Sequence, residues 1–220
     1  MISKEAYLAQ TEHAMKSLFE LLNEYREVIN LSVPPIYVDD AGSFSEINEK
    51  YTKWRFNHEI AEAHELATYA YEEHQAHAFS QAIISGSILQ IASKAIDLYG
   101  ANNVLSTEAS TLLNGLKDEL ISSVTKYASG RLIRNVPLGL VIYAGRNQYN
   151  HIEAGDDLRE VNARVFKALS ENHGYGDVID PAFDLKNGQI DSYSSNIVAL
   201  IDWNRYDEYY ADIQEILELR

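Results

Sequence analysis

The sequence predicts an all-α protein: a helical bundle preceded by an N-terminal helix and followed by a C-terminal extension. Three observations predict this. Apolar residues recur at helical spacing along most of the chain. Helix-stopping residues, among them Pro34-Pro35, Gly100, Gly130 and Asn172-His-Gly174, bracket those runs. One segment, Ile83 to Ile96, is apolar on most of its sides, as a helix in the middle of a bundle must be.

Taken in order, Ser3 caps a first helix whose apolar stripe includes Tyr7, Leu8, Met15, Phe19 and Leu22. The helix ends by Leu31 to Val33, because Pro34-Pro35 cannot continue it, and Ser32 to Gly42 is a connector. A second, polar helix runs from about Ser45 to His77. The next stretch, His74 to Ile96, has no acid and one lysine, Lys94. Gly86 within it signals a close helix crossing. Ser106 to Ser129 forms another helix, stopped by Gly130. Pro137 opens the helix carrying Leu138, Val141, Ile142, Tyr149 and Ile152, and Leu158 to Leu169 makes a shorter one. Asn187-Gly188 is a strong turn signal, so 183–191 is either a small β-hairpin or a plain loop. Two helices finish the chain, Ser194 to Trp203 and Tyr206 to Leu219, with Asn204 placed to cap the last. The division expected is 1–42 for the N-terminal helix and connector, 43–175 for the bundle, and 176–220 for the extension.

Composition narrows the function. With 220 residues, 46% hydrophobic and 23% charged, the chain has the make-up of a folded globular protein. It has no cysteine, which removes disulfides, thiol nucleophiles and thiolate metal sites together. No signal-peptide-like run opens the chain, and Ala82–Ile91 and Val136–Ala144 are too short to cross a bilayer, so a cytoplasmic protein without membrane contact is expected. Its 18 basic and 33 acidic residues sum to a net charge of −15, which repels phosphate over most of the surface. Any nucleic-acid chemistry therefore needs a local basic patch.

Such a patch exists in the sequence. No acidic residue occurs between Glu119 and Glu153, while Lys126, Arg131, Arg134 and Arg146 all do. Buried helix also excludes acids, but four basic residues count against that as the whole account. The window contains Gly145-Arg146-Asn147-Gln148-Tyr149-Asn150-His151. An imidazole at His151 can move a proton near neutral pH, and the Arg146 fork can hold a phosphate and its transition-state charge. Asn147 lies one turn before His151, on nearly the same face. Arg146 and His151 are roughly 140° apart around an ideal helix, which the long arginine stem or a second copy of the chain must bridge.

Arg146-Asn147, followed after Gln148-Tyr149-Asn150 by His151, resembles the arginine-then-histidine motif of the HEPN superfamily of small helical ribonucleases and nucleotide-binding proteins. The run from Pro137 to His151 looks like the motif helix of that family, and Ser85 to Ile96 like its preceding core helix. The likeness covers roughly Ser45 to Leu169. It implies a metal-independent RNA endonuclease without cofactor, working as a homodimer with both motifs in one cleft. Many members are toxins or phage-defence effectors, some held by an antitoxin or regulatory protein. On this reading His151 is the general acid/base, Arg146 stabilises the phosphate and Asn147 positions it; Tyr149, Asn150, Arg134 and Arg131 bind substrate. One subgroup, silenced by nucleotidyltransferase antitoxins, carries a tyrosine two positions after the histidine; Glu153 stands there in this chain. The alternative is a non-catalytic HEPN-like interaction or nucleotide-binding module on the same scaffold.

Other constellations are weaker. His58, His64, His74 and His77 lie among glutamates, but no Glu-x-x-His motif of a bundle metal site is present, and solvated helix-face histidines are expected. The tyrosines at 69, 71, 99 and 127 read as packing residues.

Overall fold

A computed structural model describes residues 2–31, 34–38, 42–150 and 160–218. Among the described residues it is all-α apart from one pair of two-residue strands. The elements are α1 (Lys4–Leu31), α2 (Phe44–Arg55), α3 (His58–Tyr99), α4 (Thr107–Leu113), α5 (Asp118–Val124), β1 (Leu132–Ile133), β2 (Val136–Pro137), α6 (Leu138–Asn150), α7 (Glu160–Glu171), α8 (Ser194–Leu200) and α9 (Tyr206–Ile216). A single 3₁₀ turn covers Thr125–Tyr127. No helix among these residues is long and apolar enough to cross a membrane.

By compactness the chain divides into a larger unit, Met1–Leu21 with Ala82–Arg220, and a smaller one, Leu22–Gln81. The boundaries expected from composition, 1–42, 43–175 and 176–220, follow a different criterion and fall elsewhere.

In the larger unit α6 is the central element. Every residue from Leu138 to Gly145 is buried, so the segment that carries Arg146 begins inside the core. Against it pack the apolar end of α3, with Ile88, Leu89, Ala92 and Ile96 fully buried, and Val165, Phe166 and Leu169 of α7. Gly86 is where α3 meets α6: a Cβ there would stand 2.5 Å from the Tyr149 ring. The crossing expected at this glycine is therefore present.

The C-terminal segment is tied in by a polar knot. Arg131 donates from Nε and Nη2 to the two oxygens of Asp212 at 2.9 and 3.0 Å, and the indole of the buried Trp203 donates to Asp212 at 2.7 Å. Asp212→Ala removes the carboxylate that the Arg131 and Trp203 side chains share, leaving Arg131 its hydrogen bond to the Ile201 carbonyl, and is expected to cost about 3 kcal/mol. A thermal melt should then shift down by roughly 10 °C.

The smaller unit is differently built. A capping box starts α2: Ser43 Oγ accepts from the Glu46 backbone at 3.4 Å, and Glu46 accepts from the Ser43 backbone at 2.7 Å. No residue of α2 is buried. The single helix expected from Ser45 to His77 is interrupted at Phe56-Asn57. There the Asn57 side chain takes the Glu59 N–H at 2.9 Å and starts α3 afresh.

Of the two readings open for 183–191, the loop is the one observed. Residues 183–191 form successive turns, because the Asp184 and Asn187 side chains capture the backbone N–H groups of Lys186 and Gln189 at 3.0 and 3.1 Å. The small hairpin is β1–β2, with Ile133 opposite Val136. Its two turn residues, Arg134 and Asn135, have φ of +47° and +66°, as a two-residue hairpin loop of matching twist requires. The helix expected from Ser106 to Ser129 likewise breaks, at Asn114-Gly115, where Gly115 has φ +79°. The last helix takes its cap from Glu208, which accepts from the Asn204 and Arg205 backbones at 2.6 and 2.9 Å, rather than from the Asn204 side chain.

Candidate functional site

α6 emerges from the core at Arg146, which is half-buried on the side facing α3. Its Nε donates to Ser93 Oγ at 3.2 Å, and its guanidinium lies 5.8 Å from the centroid of the Tyr143 ring. Ser93 is itself fixed. Its hydroxyl is 3.0 Å from that of Tyr127, which donates to the Ser93 carbonyl at 3.1 Å. The Tyr127 and Tyr143 rings pack 4.9 Å apart. A half-buried guanidinium is thus held by a hydroxyl and an aromatic face, neither of which neutralises it.

One turn further along α3, Asp97 accepts from Lys126 Nζ at 2.7 Å, and its backbone carbonyl accepts from the same ammonium at 2.9 Å. Partial burial pushes the Asp97 carboxyl up, but the Lys126 hydrogen bond and the charges of Lys126, Arg146 and Lys94 outweigh it and hold it below its usual range. Arg146 therefore acts on Asp97 through space, without an ion-pair contact.

The other expected site residues are spread. His151 lies outside the described residues, immediately after the last residue of α6. Asn147 is buried and donates to Asn162 of α7 at 3.3 Å, away from Ser93. Tyr149 packs on Gly86, and Asn150 is exposed and donates to Gln90 at 3.3 Å. Arg131 is committed to Asp212. Arg134 is paired with Asp180 at 2.7 Å, donates to the Leu169 carbonyl and lies over the Phe183 ring. The basic window thus contributes Arg146 and Lys126 to one neighbourhood and sends Arg131 and Arg134 to structural ion pairs.

Ser93, Asp97 and Tyr127 were not singled out from the sequence as members of a site. The available signal was the i, i+4 spacing of Ser93 and Asp97, which puts two polar residues on one face of the helix. Among the described residues no group of three histidine, aspartate or glutamate side chains is arranged to hold a metal ion. His58 and His77 pair with Glu62 and Glu73 at 3.3 and 3.4 Å, and His64 packs against Trp54. Set against protein-family models, curated proteins and solved structures, the chain has no match.

Proposed function

We propose that the chain is a metal-independent RNA endonuclease of HEPN type, with Arg146 and His151 as its reacting pair. The observation that carries this reading concerns the four basic residues of the acid-free window. Lys126, Arg131 and Arg134 each touch a carboxylate, whereas Arg146, among the described residues, touches none. Its charge remains available to a phosphate, in a chain whose net charge of −15 otherwise repels one.

In the proposed reaction an imidazole takes the proton of a ribose 2′-hydroxyl. The 2′-oxygen bonds to the adjacent phosphorus, and the bond from phosphorus to the 5′-oxygen breaks. A proton returns to that leaving oxygen. The products are a 2′,3′-cyclic phosphate and a 5′-hydroxyl. Arg146 holds the non-bridging oxygens as their charge grows. A homodimer supplies two imidazoles, one for each proton transfer. Action in the cytoplasm as a toxin or defence effector, restrained by an antitoxin or regulatory protein, belongs to this proposal. Asn147, through Asn162, fixes α6 on α7 and so positions its neighbour.

A second reading, a non-catalytic interaction module, draws on the smaller unit. Phe44, Phe56 and Phe79 are 87%, 80% and 74% exposed there, apolar surface that suits a protein partner.

End-labelled RNA incubated with purified protein in EDTA separates the two. Cleavage to fragments ending in 2′,3′-cyclic phosphate is expected, with none on 2′-O-methyl RNA and none by His151→Ala. Fragments ending in 3′-hydroxyl, or undiminished cleavage by His151→Ala, would overturn the assignment. Intact RNA in every lane would favour the interaction module.

A further inference from the structure

We infer that Lys126 and Arg146 form a two-cation seat for an RNA phosphate, and that the Asp97 carboxylate occupies this seat as a resident counter-ion which the phosphate displaces. The ligand rests on the cleavage reading; the seat rests on geometry. Ser93 and Asp97 are successive positions on one face of α3, so their partners, Arg146 and Lys126, stand side by side along it. Lys94 adds a third positive charge within reach of Asp97.

The surroundings favour exchange. The Lys126 and Asp97 side chains are 33% and 41% exposed, so water and solutes reach the pair. Ion pairs this open are weak and readily replaced. A phosphodiester replaces the carboxylate on Lys126, while the displaced Asp97, tethered to α3, turns to solvent and keeps its negative charge nearby. The phosphodiester adds what a carboxylate on Asp97 lacks here: oxygens free to engage the Arg146 fork. Among the described residues Asp97 is the one carboxylate in contact with either cation. It therefore acts as a brake on anion affinity at this place.

The test is a fluorescence-anisotropy titration of the full chain with fluorescein-labelled, single-stranded 2′-O-methyl RNA at several salt concentrations. Asp97→Asn keeps the shape and removes the charge. It should bind about 5-fold tighter, with a log–log salt slope steeper by about 0.7. Lys126→Gln should bind about 5-fold weaker, and it tests the seat without relying on the first variant. Affinity unchanged or reduced in Asp97→Asn with an unaltered melt overturns the seat. So does unchanged affinity in Lys126→Gln, or no binding by any form. Parallel incubation with unmodified RNA in EDTA separates the two ideas. RNA that stays uncut while affinities shift as expected sinks the nuclease reading and keeps the seat. RNA that is cut while affinities do not move does the reverse.

Discussion

Under the proposed ribonuclease activity, Arg146→Ala is expected to slow RNA cleavage by about 10²–10³-fold, the usual cost of removing a charge-stabilising donor from a reacting phosphate. The loss should fall mainly on kcat, because the guanidinium matters most as charge accumulates on the non-bridging oxygens. Arg146→Lys should recover only part of the rate: a lysine restores the charge but not the planar fork that spans two oxygens. Stability should change little. The side chain meets the Ser93 and Tyr127 hydroxyls and the face of Tyr143, all from a half-exposed position, so the melt should move by less than about 4 °C. A variant that folds normally and cleaves at the parental rate would remove Arg146 from the chemistry.

Gly139→Ala is expected to lower the stability of the larger unit substantially. A Cβ at this position would stand 2.3 Å from the Tyr127 carbonyl oxygen and 3.0 Å from its carbon. Those are backbone atoms, so no rotamer change relieves the overlap. The Gly139 N–H also donates to the Ser129 carbonyl at 3.0 Å, pinning the first turn of α6 to the segment it would have to leave. A cost of about 3 kcal/mol, or a melt lowered by roughly 10 °C, follows. Differential scanning calorimetry against the parent chain measures it. A shift under about 2 °C would mean that α6 does not start against Tyr127 as described.

How much of this was legible depended on whether the deciding contact was local. The first helix ends before Pro34-Pro35, α3 ends at Gly100, and the apolar stretch from Ile83 to Ile96 supplies buried core, all as local signals say. The interruption at Asn57 was hidden because asparagine is ordinary within a polar helical pattern. The position of the hairpin is hidden for a related reason. Arg134-Asn135 contains no glycine to announce a left-handed turn, while Asn187-Gly188 announces one and then yields to side-chain hydrogen bonds from Asp184 and Asn187. At the site, Arg146 stands out by charge contrast and by its spacing to His151. Its supports do not, because Ser93 is 53 residues away and only the packing of α3 on α6 brings them together. That Arg131 and Arg134 are committed to Asp212 and Asp180, 81 and 46 residues distant, was hidden in the same way.

The hydroxyl relay from Tyr127 through Ser93 to Arg146 has one more consequence. Ser93 and Tyr127 are both buried, so the two hydroxyls that receive the guanidinium are fixed by the packing of the apolar interior. The arginine's anchor is thus built by the core itself, and melting the core dissolves it.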